Sequence, residues 1–152
     1  MKTIGMIGGM SWESSLEYYR ILNEQVKEEL GGTHSCQCLM YSFDFEQVEK
    51  LQHDGRWDEL TNRMVAEAEN LKKAGADFIV ICTNTMHRLA PDIEGATGLK
   101  VLHIAEATGK AIVDKGLKKV ALLGTEFTMT GDFYHKILRE NFGIEVMIPG
   151  QR

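Results

Sequence analysis

Cys82 is the residue of this chain whose type and setting most clearly could do chemistry. It follows the apolar run Phe78–Ile81 and is followed at once by the polar residues Thr83–Thr85. The apolar run predicts the end of a parallel strand that is covered on both faces. A thiol at the end of such a strand, facing the start of a helix, would have its thiolate favoured by the helix dipole and by backbone donors. The pattern predicts a reactive thiol, and a small apolar plug at the strand end is the alternative.

Hydroxyl side chains follow two predicted strands in the same way. Thr83 and Thr85 come after the strand that leads to Cys82, and Thr125 and Thr128 come after a later strand. In a doubly wound sheet both loops open at the carboxyl edge, where such sheets bind ligands. Hydroxyl and backbone N–H donors suit a small carboxylate, because they add no competing fixed charge. The alternative is that these threonines are ordinary helix caps.

The other histidines and cysteines give weaker signals. His87 could pair with Cys82, although a spacing of five residues aligns poorly on a helix. The stretch His34–Cys38 contains C-x-C and one histidine, but it lacks the paired C-x-x-C spacing of structural zinc sites, so a strand with buried cysteines is expected. His103 and His135 receive no role. No metal site is predicted.

A glycine-rich turn lies near the start of the chain. Gly5–Met10 invites a dinucleotide-binding interpretation, but no register yields G-x-G-x-x-G, and the G-x-x-x-x-G-K-[ST] loop is absent. Ser11 follows as a reasonable N-cap for the next helix. Two interpretations stay open: the turn brings backbone N–H groups close to a small anion, or it is purely structural.

Composition bounds the class of protein. The 152 residues are 43% hydrophobic and 26% charged, as expected of one folded globular domain or one domain and part of another. The net charge of −5 argues against a nucleic-acid partner. No apolar run approaches the ~18 residues of a membrane span, and no signal peptide is recognised, so a cytoplasmic protein without a membrane partner is expected. Three cysteines are too few for a disulfide framework.

Predicted strands and helices alternate along the chain. The strands are Met1–Ile7, Gln37–Tyr41, Phe78–Ile81, Leu99–Leu102, Lys118–Leu123 and Ile144–Ile148; the helices are Trp12–Leu30, Phe45–His53, Trp57–Lys73, a short piece broken around Pro91, Ile104–Lys115 and Asp132–Phe142. The alternation predicts an α/β fold with a doubly wound, mostly parallel sheet. Because the sequence ends at Pro149–Arg152 with no helix to cover the last strand, we expect an incomplete molecule.

Three motifs, in this order, resemble the aspartate/glutamate racemase family. They are Ile4–Ser14, Cys82–His87, and Leu123–Met129 with Phe133–Tyr134. The closest likeness is to the broad-specificity amino-acid racemases of that family, and it runs through essentially the whole chain. None of the three motifs would suffice alone, but together they are highly specific.

The resemblance implies a cofactor-independent enzyme, without pyridoxal phosphate, built from two similar α/β domains with the active site between them. Residues 1–103 would form the first domain, with the first catalytic cysteine, and residues 104–152 would begin an incomplete second domain. One thiolate removes the Cα proton of an amino acid, and the other thiol returns a proton to the opposite face. A homodimer is also implied.

The same resemblance implies a role for each matching residue. Cys82 is the acid/base of the first domain, and Asn84 and Thr85 hold the α-carboxylate of the substrate. The remaining residues implied in substrate binding are Met10 and Ser11, which wall the pocket, Thr83, and, from the second-domain side, Thr125 and Thr128.

Two departures from the family pattern change the expectations. Family members carry the second cysteine in a Gly-Cys-Thr stretch beyond these 152 residues, and Cys36 and Cys38 do not match it. The loop Ser42–Gln47 lacks the arginine that aspartate-specific members place there, so strict aspartate specificity is not expected. Two alternatives stay open: a single-cysteine decarboxylase or isomerase of small dicarboxylates, and an inactive fragment that binds small acids.

Overall fold

The computed structural model of this chain describes residues 1–150, and these fall into two units. The first unit contains Met1–Thr83 and Leu89–Val101; the second contains Asn84–Arg88 and the chain from Leu102 onward. The second unit includes the short piece 84–88, which interrupts the first unit in the chain, and the division into domains after residue 103 stays a prediction. Two residues of the chain end Pro149–Arg152, Gln151 and Arg152, lie outside the described residues.

The first unit is organised around a parallel sheet of three strands. Its elements are β1 (Ile4–Gly8), α1 (Trp12–Leu30), β2 (Cys38–Ser42), α2 (Phe45–His53), α3 (Trp57–Lys73), β3 (Phe78–Ile81) and α4 (Ala90–Thr97). The strand order is β2-β1-β3, and both pairings are parallel. Because β1 is central, its residues Met6 and Ile7 are fully buried, as expected for a strand covered on both faces.

Helix α3 shows why the sequence folds this way locally. Leu60, Met64, Ala68 and Leu71 recur at helical spacing and are all buried, so they form one apolar stripe that faces the core. Acidic residues occupy the first turn of α3 and two lysines occupy the last turn. This charge order favours the helix through its dipole.

The second unit contains a smaller parallel pair of strands. Its elements are α5 (Ile104–Asp114), β4 (Lys119–Ala121), α6 (Glu126–Thr130), α7 (Asp132–Phe142) and β5 (Glu145–Met147). β4 and β5 pair in parallel. The core of this unit is a cluster of four buried residues, Ala105, Tyr134, Leu138 and Ile144. A 3₁₀ helix, Thr85–Leu89, precedes α4 in the chain.

The α/β class with a parallel sheet is confirmed, but some elements differ from the prediction. The predicted strand Leu99–Leu102 is wrong, because only Val101 forms a bridge, with Ile79. The N–H group of Val101 donates to the Glu94 carboxylate at 2.8 Å, so it is not available to extend a ladder. Pro91 lies in the first turn of α4 rather than breaking it, since proline lacks only an N–H that this turn leaves unused.

Across the described part of the chain, no helix is both long enough and apolar enough to cross a membrane.

Candidate active site

Cys82 lies directly after β3, at the carboxyl end of the three-stranded sheet. Its backbone N–H donates to the carbonyl of Ile7 at 2.9 Å, so the residue continues the pairing of β3 with β1. The side chain is fully buried in a cluster with Met6 and Val80. Tyr18 and Leu22 of α1 pack against this cluster, which places the thiol on the α1 side of the sheet. The predicted position at a strand end is confirmed, and the surroundings of the sulfur are largely apolar.

The protonation state of Cys82 differs from the prediction. Burial raises the pKa of the Cys82 thiol to about 12, with a smaller increase from Cys38. The expectation of a favoured thiolate is wrong, because an apolar cluster disfavours the charged form. The expected helix dipole is also weak, since the chain continues into a short 3₁₀ helix at Thr85 rather than a regular α-helix. The resting group is therefore a neutral thiol.

The glycine turn lies beside Cys82 at the same sheet edge. Gly9 has a φ of +86°, a conformation that side chains rarely adopt, and its N–H donates to the Ser15 hydroxyl at 2.9 Å. That hydroxyl in turn donates to the carbonyl of Ser11 at 3.4 Å. Met10 is buried, and the peptide bond between Met10 and Ser11 is cis. The loop that carries these two predicted pocket residues is thus held from within by Ser15.

Ser11 and Ser15 show where sequence reasoning failed in this turn. Ser11 occupies the N-cap position of α1 with extended backbone, as predicted, but its side chain makes no capping hydrogen bond. Ser15 does the anchoring from inside the first turns of the helix and was not singled out. A serine one turn after a predicted cap is a signal that could have found it, because such hydroxyls can bond to nearby backbone groups.

The parallel ladder brings three chain segments to one edge of the first unit. The N–H group of Phe43, after β2, donates to the carbonyl of Gly8 at 2.9 Å, and Gly8 pairs with Ser42. Cys82 bonds to the other side of β1 as described above. Met10, Ser11, Cys82 and Thr83 therefore all follow the carboxyl ends of neighbouring strands, which is where open α/β sheets bind ligands.

Asn84 and Thr85 belong to the second unit, where Asn84 is exposed. The side-chain oxygen of Asn84 accepts a hydrogen bond from the Tyr134 hydroxyl at 2.6 Å. Its backbone carbonyl accepts from the N–H of His87 at 3.1 Å. Asn84 is consequently fixed at both its side chain and its main chain, while Thr85 begins the 3₁₀ helix.

Thr125 and Thr128 form a helix cap in the second unit. Thr125 is the N-cap of α6, and its hydroxyl accepts from the N–H of Thr128 at 3.4 Å. The two hydroxyl oxygens are 3.2 Å apart, and Thr128 is buried. The capping interpretation of this pair is therefore confirmed; a role in binding substrate stays a prediction.

The remaining histidines and cysteines lie in structural positions. His87 is buried, its Nδ1 lies 3.2 Å from the carbonyl of Asn84, and its ring is 4.8 Å from that of His103. His103 caps α5 by accepting from the N–H of Ala105. Cys36 and Cys38 are half-buried, and only Cys38 lies in a strand. Within residues 1–150, no three side chains of His, Cys, Asp or Glu are grouped to hold a metal ion.

Comparison with known proteins identifies relatives over nearly the whole chain. A family model described as Asp/Glu/Hydantoin racemase matches residues 7–152. The broad specificity amino-acid racemase RacX of Bacillus subtilis (strain 168) is 30% identical over 149 residues, which is 95% of this chain and 63% of RacX. This chain therefore spans somewhat less than two thirds of the length of that curated relative.

Solved structures agree with this assignment. A protein assigned as an Asp/Glu racemase from Yersinia pestis is 50% identical with a TM-score of 0.95, over 99% of this chain and 66% of that one. An aspartate racemase homologue from Pyrococcus horikoshii OT3 is 35% identical with a TM-score of 0.86, over the same shares. Arylmalonate decarboxylase, at 15% identity and a TM-score of 0.51 over 100% of this chain and 63% of that one, shares the fold alone. On the match of the family model and of these relatives, this chain belongs to the Asp/Glu/hydantoin racemase family.

Proposed function

We propose that Cys82 is one of two thiols with which this protein racemises amino acids without pyridoxal phosphate. The observation that carries the proposal is the position of Cys82, at the carboxyl end of a parallel strand and beside the glycine turn that bears Met10 and Ser11. Support comes from the named activity of RacX, an amino-acid racemase. The second thiol would come from a Gly-Cys-Thr stretch, which these 152 residues do not contain.

The raised pKa of Cys82 fits a particular order of proton transfers. In one direction the other thiol, as thiolate, takes the Cα proton, and the C–H electron pair stays on the substrate and delocalises into its carboxylate. Neutral Cys82 then donates its proton to the opposite face and becomes a thiolate. In the reverse direction this thiolate is the base. A thiol pKa of about 12 makes that thiolate a strong base, closer to the weak acidity of a Cα–H bond.

The substrate carboxylate needs hydrogen-bond donors, because negative charge develops on it when the Cα proton leaves. We assign this task to Asn84 and Thr85, with Thr83 as a further hydroxyl donor. Thr125 and Thr128 are assigned to substrate binding from the second unit. Met10 and Ser11 are assigned to the wall of the pocket.

The substrate class proposed is amino acids in general rather than aspartate alone. In the loop after β2, Asp44 caps α2 by accepting from the N–H of Glu46. The Gln47 side chain donates to Asp44, and Arg63 donates to Gln47 at 3.2 Å. The arginine that lies near this loop is therefore already engaged, and Asp44 would repel an acidic side chain.

The alternative of a single-thiol decarboxylase or isomerase is supported only by the similarity in fold to arylmalonate decarboxylase, so we do not favour it. The homodimer and the cytoplasmic location implied by the resemblance stay predictions.

The test begins with the intact mass of the protein purified from its native source, compared with the 17.1 kDa of this chain. A heavier species is then assayed in deuterated water with D- and L-amino acids, by chiral chromatography for inversion and mass spectrometry for Cα deuterium. We expect inversion by that protein. For the 152-residue chain alone we expect no inverted product, and at most slow Cα exchange that depends on Cys82.

Two variants make this experiment decisive. Cys82→Ser should lower kcat by roughly three orders of magnitude or more, since a serine hydroxyl is a far weaker acid than a thiol and does not ionise to serve as the base. Cys38→Ser is the matched control, because Cys38 is a half-buried cysteine of β2 that packs against the same cluster as Cys82. Retained inversion by Cys82→Ser would remove Cys82 from its role, and efficient inversion by the 152-residue chain would contradict the two-thiol mechanism.

A further inference from the structure

We infer that Tyr134 is a positioning residue that sets which end of the Asn84 side-chain amide faces the substrate carboxylate. This inference rests on the proposed function, because it takes Asn84 as a ligand of that carboxylate. Tyr134 itself touches no substrate and acts through Asn84.

The geometry that carries the inference lies within the second unit. The Tyr134 hydroxyl donates to the side-chain oxygen of Asn84 at 2.6 Å, across 50 residues of sequence. Tyr134 is 6% exposed and belongs to the core of the second unit, whereas Asn84 is exposed. The hydroxyl of a buried tyrosine thus donates to the amide of Asn84, which is exposed and accessible to a ligand. Such pairs are short and well directed when the donor is held by packing.

The main chain of Asn84 is held independently of its side chain. The N–H group of His87 donates to the Asn84 carbonyl, and the buried ring of His87 packs against His103. His103 is the N-cap of α5, where it accepts from the N–H of Ala105 at 3.2 Å. Because the backbone is anchored in this way, rotation of the side-chain amide is the freedom that Tyr134 removes.

The rotation of the Asn84 amide decides whether it attracts or repels a carboxylate. An asparagine amide has an acceptor end and a donor end, and its terminal torsion has two broad minima that exchange them. With the oxygen held by Tyr134, the two N–H donors point away from Tyr134 and suit a carboxylate oxygen. After a rotation of about 180°, the amide oxygen would face the carboxylate and repel it. Tyr134 therefore preorganises Asn84 as a donor.

The hydroxyl of Tyr134 stays a donor over the working range of pH. Burial raises the pKa of Tyr134, and this outweighs the opposite effect of a hydrogen bond with Thr108. The phenol therefore keeps its proton to a higher pH than an exposed tyrosine would.

The first test is kinetic and uses the protein form that racemises amino acids. Tyr134→Phe should lower kcat/KM about ten-fold, as expected for one lost hydrogen bond to a neutral group, with a larger part of the loss in KM. Asn84→Ala should lose at least as much, and the double variant Asn84→Ala/Tyr134→Phe should match Asn84→Ala within about two-fold. Tyr19→Phe, which removes an exposed hydroxyl from α1, is the control and should behave as wild type.

The outcomes separate positioning from a merely structural role. If Tyr134 only supports the core, Tyr134→Phe will lower the activity of the Asn84→Ala protein by the same factor as that of wild type, which would overturn the inference. Wild-type kcat/KM in Tyr134→Phe, with an unchanged thermal unfolding midpoint, would overturn it too.

A second measurement does not depend on activity, so failure of the proposed function can be told apart from failure of this inference. The side-chain NH₂ resonances of Asn84, identified by their loss in Asn84→Ala, report on the amide directly. We expect them to shift in Tyr134→Phe and to stay in place in Tyr19→Phe. Unshifted resonances in Tyr134→Phe would contradict the inference even in an active enzyme, whereas a shift in a protein without racemase activity would leave the contact established and the proposed function wrong.

Discussion

The segments Cys82–His87 and Gly124–Thr128 hold corresponding positions after a strand but are held in different ways. Each follows a parallel strand and contains two threonines. In Gly124–Thr128 the hydrogen bonds are local, because the Thr125 hydroxyl caps the N–H of Thr128 three residues later. Cys82–His87 also has a local hydrogen bond, from His87 to Asn84, but its thiol and its amide are held by distant groups, since Cys82 packs against α1 and Asn84 accepts from Tyr134.

This difference separates a turn that its own residues specify from one that the tertiary structure specifies. A local cap forms wherever the chain enters a helix at the right residue. A buried thiol and an oriented amide require distant groups to arrive at fixed positions, which is a property expected of a binding or catalytic site. The contrast can be tested by changing matched residues in or beside the two segments.

The largest effect on stability is expected from replacing one glycine near each segment, Gly8 or Gly124, with alanine. A Cβ on Gly8 would overlap the hydroxyl of buried Ser15 and lie 3.8 Å from the Cβ of Cys82. Gly8→Ala should therefore lower the free energy of unfolding by about 3 kcal/mol, through overpacking and displacement of Ser15. A Cβ on Gly124 would meet the Thr128 side chain at 3.2 Å, which a small shift relieves, so Gly124→Ala should cost about 1 kcal/mol or less.

Urea denaturation measures both costs. Trp12 and Trp57 belong to the first unit, so tryptophan fluorescence follows the unit that contains Gly8, and far-ultraviolet circular dichroism follows both. Equal losses in the two variants would contradict the contrast.

A smaller effect is expected from the titration of Cys82. The pKa of the thiol is about 12 in the folded chain against an ordinary value of 9.0. The folded state thus binds one more proton than the unfolded state between these values. The stabilisation is fully present below pH 9 and falls above it by about 1.4 kcal/mol per pH unit, so about 2 kcal/mol is lost between pH 9 and pH 10.5.

Urea midpoints from pH 8 to 10.5 test this dependence. The first unit of Cys82→Ala should show a shallower fall in stability than wild type. Val80→Ala is the matched control, because it truncates a neighbouring member of the same buried cluster without removing a titrating group. It should be less stable at every pH but keep the wild-type slope. Parallel slopes for wild type and Cys82→Ala would contradict the buried neutral thiol.

The smallest effect distinguishes the two N-cap positions. Thr125→Ala removes a hydroxyl that accepts from the N–H of Thr128, and should cost about 1 kcal/mol. Ser11→Ala removes a hydroxyl that makes no capping bond, and should cost a few tenths of a kcal/mol at most. Hydrogen exchange of the amides in α6 and in the first turn of α1 measures the two effects separately. If Ser11→Ala accelerates exchange in α1 more than Thr125→Ala accelerates exchange in α6, each relative to wild type, the capping roles are assigned the wrong way round.

Much of the fold could be predicted because its signals are local. The helices α2 and α3 have the predicted bounds, since apolar spacing and flanking glycine or polar residues mark them. Leu99–Leu102 was mistaken for a strand, because nothing in its composition reveals that the Glu94 carboxylate takes the N–H of Val101. Residue propensity describes which structure a segment can form, but strand pairing depends on which hydrogen-bond partners the folded structure places beside it.

The candidate site could be predicted only in part. Cys82 was recognisable from the apolar run before it, but the sign of its pKa shift was not, because that sign depends on Met6, Val80 and the α1 side chains around the sulfur. Tyr134 was not assigned a role, since its hydrogen bond to Asn84, 50 residues away, follows no short-range pattern. The hydrogen bond of Ser15 to Gly9 is local, and this signal was missed.

The sequence by itself determined the alternation of strands and helices, the thiol at the end of β3 and the family likeness, and it left open whether Thr125 caps a helix. These features depend on residue type and spacing over a few turns of chain. Only the tertiary structure decided that Cys82 rests as a neutral thiol and that the Tyr134 hydroxyl donates to the Asn84 side chain. Desolvation and long-range hydrogen bonds depend on which distant groups meet, and this is set by packing rather than by any local run of residues.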